Sequence, residues 1–143
     1  MKRLSAGVAA MVLLCTFATS AQSEEVTIGE HSVSIPQDLS QESQNLVKQY
    51  APAIPELCPG FAKYQGEFES FSIQNNYNID VVFKVPDDAS SIPGDFLAHG
   101  HTCYFGISRD GKKLVIPKSA CQSVCLGRDM SDKDIENLVI PLK

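Results

Sequence analysis

The sequence predicts an α+β fold: an N-terminal hairpin, one main helix packed on an antiparallel sheet, a short C-terminal helix and two disulfides. Three observations predict it. Residues 26–35 alternate apolar and polar side chains about a glycine, residues 39–57 carry an apolar stripe at helical spacing, and the later strands follow one another without helices between them. This order argues against the alternating strands and helices of a parallel sheet.

The N-terminal hairpin is predicted from residues 26–35, whose apolar positions alternate on both sides of Gly29 and Glu30. Such alternation buries one face of a strand, and glycine suits the turn between two strands. Pro36 ends the hairpin. The short oxygen-bearing side chain of Asp38 or Ser40 can then cap a helix, because it accepts a backbone N–H that has no helical partner.

The main helix is predicted from apolar residues on one stripe. They are Leu39, Leu46, Val47, Tyr50, Ile54 and Leu57. Pro52 and Pro55 interrupt the pattern, so we expect the helix to reach about Ala51 and to be followed by a kink or a short second turn. The Cys58-Pro59-Gly60 sequence should close the helical part.

The second half of the chain reads as strands. Phe68, Phe71 and Ile73 lead to a turn at Asn75-Asn76. The next strand is predicted from strict alternation of apolar residues. They are Tyr77, Ile79, Val81, Phe83 and Val85. Residues 86–94 are rich in Asp, Ser and Pro, which indicates a loop.

A second hairpin is predicted around Asp110-Gly111, a strong two-residue turn signal. This turn places Ile107 opposite Leu114 and Phe105 opposite Ile116, so that both apolar sets share one face. Finally, residues 131–134 resemble a capping box. With Ile135, Leu138 and Val139 behind it, this pattern predicts the short C-terminal helix.

Residues 1–23 have the features of a secretory signal peptide: Lys2 and Arg3, then an uncharged apolar stretch, then small residues. We expect it to be removed, leaving residues 24–143 as one small domain, with the periplasm as the preferred location and secretion beyond it as an alternative. A lipidation signal at Cys15 is disfavoured because Leu14 is not small. No later stretch is apolar enough to span a membrane.

Processing moves the net charge from −5 to −7, because it removes two cations and no acid. This acidity argues against nucleic-acid binding, which requires a cationic surface. Four cysteines remain, and an even number in an exported chain indicates two disulfides with three possible connectivities. The hairpin register favours Cys103–Cys121, which leaves Cys58 to meet Cys125.

Two groups of residues are candidate sites. His99, His101 and Cys103 would share one face of a strand, where the two histidines could bind copper or zinc with help from Cys121 and Cys125. The alternative is that the cysteines are all disulfide-bonded, which leaves two solvated histidines. The three-residue spacing between Cys121 and Cys125 also differs from that of thioredoxin-like redox sites.

The second group is a basic segment around the second hairpin. Its members are Arg109, Lys112, Lys113, Lys118 and Arg128, half of the ten cations of the processed chain. Arg109, Lys112, Lys113 and Lys118 are candidate partner-binding residues, because a cationic hairpin suits an acidic cleft or anionic envelope polymers. The alternative is a solvated turn whose charges prevent strand-to-strand aggregation.

The chain lacks the common catalytic motifs, and no cofactor is expected. We therefore expect a non-enzymatic binding protein that contacts a protein partner in the cell envelope, such as an inhibitor, an immunity protein or an accessory of an envelope machine. A metal-binding protein that uses His99 and His101, or a small enzyme with a site that motifs do not reveal, are the alternatives. The sequence does not indicate an oligomeric state.

Overall fold

The computed structural model describes residues 24–88, 102–117, 119–128 and 138–143. Within these ranges the strands are β1 (Glu25–Ile28), β2 (His31–Ser34), β3 (Glu69–Asn75), β4 (Ile79–Lys84), β5 (Thr102–Ile107), β6 (Lys113–Ile116) and β7 (Leu138–Pro141). The helices are α1 (Gln41–Tyr50), α2 (Ile54–Leu57), α3 (Pro59–Tyr64) and α4 (Ser119–Leu126). None of these helices combines the length and apolarity that crossing a membrane requires.

Strands β1 and β2 form the predicted N-terminal hairpin, and the other five strands form one antiparallel sheet in the order β3–β4–β5–β6–β7. Val26 pairs with Val33 on the buried face of the hairpin. The hairpin is attached to the rest of the fold through Gln65. The side-chain oxygen of Gln65 accepts the Glu30 N–H at 3.0 Å, and its backbone carbonyl accepts His31 Nε2–H at 2.7 Å.

Helix α1 begins as predicted. The Ser40 hydroxyl accepts the backbone N–H of Ser43 at 3.1 Å and so caps the first turn. The regular helix ends at Tyr50, and a 3₁₀ turn over Ala51–Ala53 leads into α2. Pro52 lies in this turn, which confirms the predicted kink, because proline removes a backbone donor from the helical ladder.

The core lies between the helices and one face of the five-stranded sheet. Fully buried side chains from both layers meet there, among them Val47, Ile54, Phe61, Phe83, Phe105 and Leu114. Phe61 of α3 lies near the centre, with its ring 5.5 Å from that of Phe83 and 6.0 Å from that of Phe105. Burying one phenylalanine contributes roughly 1.5–3 kcal/mol, so this aromatic cluster is a main source of stability.

The hairpin of β5 and β6 has the predicted register, with Ile107 opposite Leu114. Its loop is longer than the predicted two residues. The last backbone bond runs from Ser108 N–H to the Lys113 carbonyl at 2.9 Å, which leaves residues 109–112 as the loop. The turn itself is made by Gly111, which has a positive φ of 69° and donates its N–H to the Ser108 carbonyl at 2.8 Å.

Both disulfides have the favoured connectivity. Cys58 is bonded to Cys125 across a Cα separation of 4.4 Å, and Cys103 is bonded to Cys121 across 5.3 Å. All four residues are fully buried. Cys121 and Cys125 lie one turn apart on α4, a helix that was not predicted. The two bridges therefore attach α4 to the residue between α2 and α3 on one side and to β5 on the other.

The C-terminal strand corrects one prediction. Leu138 and Val139 were assigned to a short terminal helix, but they lie in β7, where they pair with Ile116 and Val115 of β6. Pairing with β6 decides their conformation, because a short apolar segment fits a strand as readily as a helix. Residues 131–137 of the predicted helix lie outside the described residues.

Candidate partner-binding surface

The face of the five-stranded sheet opposite the core carries an open groove of about 550 Å³. A row of paired residues crosses this face in the order Asp80, Gly106, Val115 and Val139. Side chains alternate along a strand, so this row points away from the core while the adjacent Ile79 and Leu114 are buried in it. Tyr77 and Asn78 from the preceding turn, and Tyr104 from β5, also line the groove.

Gly106 lies under the polar end of the groove. A Cβ at this position would lie 2.8 Å from Asp80 Oδ1 and 2.9 Å from Asn78 Nδ2. The side chains of Asp80 and Asn78 therefore lie directly over the glycine, in space that any other residue would fill. Because Gly106 has no side chain, the carboxylate of Asp80 and the amide of Asn78 can lie together above the backbone of β5.

Asp80 is half-buried in this groove. Its burial raises the pKa of the carboxyl group above the ordinary value of 3.8, while a hydrogen bond with the Asn76 side chain and the charge of Arg109 act in the opposite direction. Among the residues that the structure describes, no cation forms an ion pair with Asp80. Its carboxylate is thus partly removed from water without a bonded counter-charge.

Arg109 connects the two loops at one end of the sheet. Its Nη2 donates to the Asn75 side-chain oxygen and to the Asn76 carbonyl, the latter at 2.7 Å, and its Nε donates to the Tyr77 carbonyl at 3.4 Å. Charge-assisted bonds of this kind are stronger than neutral ones. They hold the β3–β4 turn against the β5–β6 loop, and Tyr77 projects from this braced turn with 93% of its surface exposed.

The β5–β6 loop is also held internally. Asp110 Oδ1 accepts the Ser108 hydroxyl at 2.6 Å and the Lys112 N–H at 3.0 Å, and the Ser108 hydroxyl accepts the Lys113 N–H at 3.1 Å. The bonds from Ser108 and Lys112 lower the pKa of Asp110. Lys112 is therefore presented on an ordered loop and Lys113 at the start of β6, where it lines the groove. Together, Tyr77, Asp80, Tyr104, Lys112 and Lys113 form the outer-face surface.

The structure brings together three of the four residues predicted to bind a partner. Arg109 and Lys112 lie in the β5–β6 loop and Lys113 is the first residue of β6, whereas Lys118 lies outside the described residues. Arg109 differs from the two lysines, because its guanidinium is engaged by the neighbouring turn and acts as a brace. The two lysine ammonium groups are exposed at the loop.

The predicted metal site is only partly covered by the structure. His99 and His101 lie outside the described residues. The suggestion that Cys103, Cys121 and Cys125 supply thiolate ligands is wrong, because all three are in disulfides and a bonded sulfur is not a thiolate. Within the described ranges, no group of three His, Cys, Asp or Glu side chains is placed to hold a metal ion.

Sequence reasoning missed three residues of the outer-face surface. Tyr77 was assigned to the core face of a strand, but β4 begins only at Ile79, so Tyr77 lies in the turn and is exposed. Asp80 and Tyr104 occupy the polar positions of alternating strands. A signal was available for Tyr104, because the predicted pairing of Ile107 with Leu114 places it on the outer face.

The surface combines a carboxylate, two phenol rings and two ammonium groups on rigid backbone, which suits binding of a charged and partly apolar partner. Comparisons of the chain with protein-family models, with curated proteins and with solved structures gave no match.

Proposed function

We propose that the protein is a small exported binding protein without enzymatic activity, an inhibitor, immunity protein or accessory of an envelope machine, which contacts a protein partner through its outer-face surface. One observation carries the proposal. Tyr77 exposes 93% of its surface on a turn that Arg109 holds in place with three hydrogen bonds.

An exposed tyrosine on rigid backbone is well suited to protein recognition. Tyrosine is enriched among the residues that dominate binding energy at interfaces, because its ring buries a large apolar area while its hydroxyl forms a hydrogen bond. The Arg109 brace orders the turn before binding, which reduces the entropy lost in the complex. Lys112 lies on the adjacent loop and Lys113 directly after it in β6, and both favour a partner with acidic side chains at the facing positions.

Export is supported by two independent features. Residues 1–23 have the charge and hydropathy order of a secretory signal. Disulfides persist mainly in oxidising compartments, and the described part of the chain contains two fully buried ones. N-terminal sequencing of the protein from a periplasmic fraction tests this part: a start near Glu24 is expected, and an intact Met1 in the cytosol would contradict it.

Partner binding is tested by affinity capture from an envelope extract of the native host with immobilised residues 24–143. The wild-type protein should retain one partner at a stoichiometric ratio. Tyr77→Ala should weaken its capture about tenfold, the usual effect of truncating a central interface tyrosine. The double variant Lys112→Glu/Lys113→Glu should weaken capture and reduce its dependence on salt concentration.

A matched control reverses two exposed lysines on the helices, Lys48→Glu and Lys63→Glu. It changes net charge by the same amount at a distance from the outer-face surface, so capture should stay close to that of the wild type. If Tyr77→Ala and the loop double variant capture the partner as well as the wild type does, this surface is not the contact and the proposal is wrong.

A further inference from the structure

The two ends of the groove carry opposite charges. Asp80 lies at one end, on β4, and Lys113 at the other, on β6. Through Gly106, Asp80 is aligned with Val115, and Lys113 precedes Val115 by two residues. With ~4.8 Å between strands and ~3.3 Å per residue along them, the Cα atoms of Asp80 and Lys113 are ~12 Å apart. A single extended segment of a partner can therefore contact both ends.

The Asp80 end has the groups that recognise a planar cation. The carboxylate lies over Gly106 beside the Asn78 amide, and the phenol rings of Tyr77 and Tyr104 line the same groove. A cation over an aromatic face gains about 0.5–1 kcal/mol at an exposed site and more where water is excluded. Arg109, the cation whose charge acts on Asp80, uses its Nε and Nη2 donors to bind the neighbouring turn.

We infer that this groove receives an arginine side chain of the protein partner, with its guanidinium against the Asp80 carboxylate and the tyrosine rings. The inference rests on the proposed function and names the partner chemistry for the same surface. Arginine fits better than lysine, because a guanidinium is planar, weakly hydrated, stacks on aromatic rings and donates two parallel bonds to a carboxylate. An acidic partner residue about four positions away along the extended segment, on the same face as the arginine, would then face Lys113.

Partial burial of Asp80 supports this choice. In the free protein the carboxylate has lost part of its hydration, and burial raises its pKa. A guanidinium bound beside it replaces the missing water by donating charge-assisted hydrogen bonds to the carboxylate, and this lowers the pKa of Asp80 again. Binding should therefore release a proton at acidic pH, and the released proton should come from Asp80.

The probes for this inference are two small ligands, arginine amide and citrulline amide, titrated into the ¹⁵N-labelled processed protein and followed by NMR. The citrulline side chain has nearly the same shape as that of arginine but carries no charge, and both probes have the same α-amino group. Arginine amide should shift the backbone amide signals of Asp80, Tyr104 and Gly106, and citrulline amide should not. Asp80→Asn should raise the midpoint of the arginine titration at least about tenfold.

Two further variants complete the test. Tyr77→Ala removes one ring from an almost fully exposed position and leaves the core unchanged, so it keeps the test valid if Asp80→Asn folds poorly. It should raise the midpoint of the arginine titration about two- to fivefold. Asp38→Asn removes an exposed carboxylate outside the groove and should leave the midpoint unchanged.

Three results would each overturn the inference. The first is equal shifts with citrulline amide, and the second is an unchanged midpoint in both Asp80→Asn and Tyr77→Ala. The third comes from titrating the neutral sugar chitotetraose in the same way: stronger shifts at these signals than arginine amide produces. If the sugar or citrulline result is found while partner capture still depends on Tyr77, the proposed function stands and only the arginine assignment fails. If no partner is captured, the proposed function fails, whatever arginine amide does.

Discussion

Removing the Cys58–Cys125 bridge should destabilise the fold more than removing Cys103–Cys121. The first bridge links residues 67 positions apart and the second links residues 18 apart. In the chain-entropy model, a cross-link restricts the unfolded chain by an amount that grows with the logarithm of the loop length. At 25 °C this corresponds to about 4.4 kcal/mol for the longer loop and about 3.2 kcal/mol for the shorter one.

The assay is urea unfolding of the two double variants Cys58→Ala/Cys125→Ala and Cys103→Ala/Cys121→Ala, beside the oxidised wild type. All four cysteines are fully buried, so the loss of sulfur packing is similar in both variants and largely cancels in the comparison. Removing the bridge that closes the longer loop should lower the free energy of unfolding by about 1 kcal/mol more than removing the bridge that closes the shorter loop. Equal stability of either variant and the wild type, or the reverse order of the two variants, would refute the reasoning.

Three further changes in the free energy of unfolding are expected, each measured by urea denaturation. Gly60→Ala should lower the free energy of unfolding by about 1–3 kcal/mol, because the added methyl group would collide with the backbone carbonyl of Val124 where α3 and α4 touch. An unchanged free energy of unfolding would show that the two helices can separate. Ser40→Ala should cost about 1 kcal/mol by removing the cap on the Ser43 N–H, and Ser40→Thr, which keeps an accepting oxygen, should recover most of it. Asp80→Asn should stabilise the protein at pH 7 and not at pH 3. The raised pKa means that the folded state holds the proton more tightly, so stability falls as pH rises from 3.8 through the folded-state pKa. A loss of stability at pH 7 would contradict this sign.

Elements with strong local signals were predictable from the sequence. Ser40 was one of two candidate caps for α1, and it is the residue whose hydroxyl accepts a backbone N–H there. The Asp110-Gly111 turn correctly placed Ile107 opposite Leu114, because the side-chain period of two allows few registers that keep both apolar sets on one face. That register also led to the correct pairing of the cysteines.

Elements that depend on distant partners were predicted less well. The spacing of Leu138 and Val139 after a capping box is typical of a helix, yet these residues lie in β7, since β6 offers them an unpaired strand edge. Helix α4 was missed although Cys121, Val124 and Cys125 have helical spacing. The helix has only eight residues, and so short a segment carries a weak periodic signal.

The candidate site was only partly visible in the sequence. The composition indicated a basic loop with Lys112 and Lys113, but it did not distinguish the bracing role of Arg109 from a free surface charge. Asp80 and Tyr104 look like ordinary solvent-facing strand positions. They become a site only because β4, β5 and β6 are neighbours and because Gly106 leaves room above the sheet.

The most direct test of the account is the hydrogen-exchange footprint of the captured partner on this protein. If the outer-face surface is the contact, amide exchange should slow on complex formation in the β3–β4 turn, in the β5–β6 loop and at Gly106, and it should stay unchanged along α1. Slowed exchange on α1 and the β1–β2 hairpin, with the two loops unaffected, would place the partner on the helical side and contradict the account.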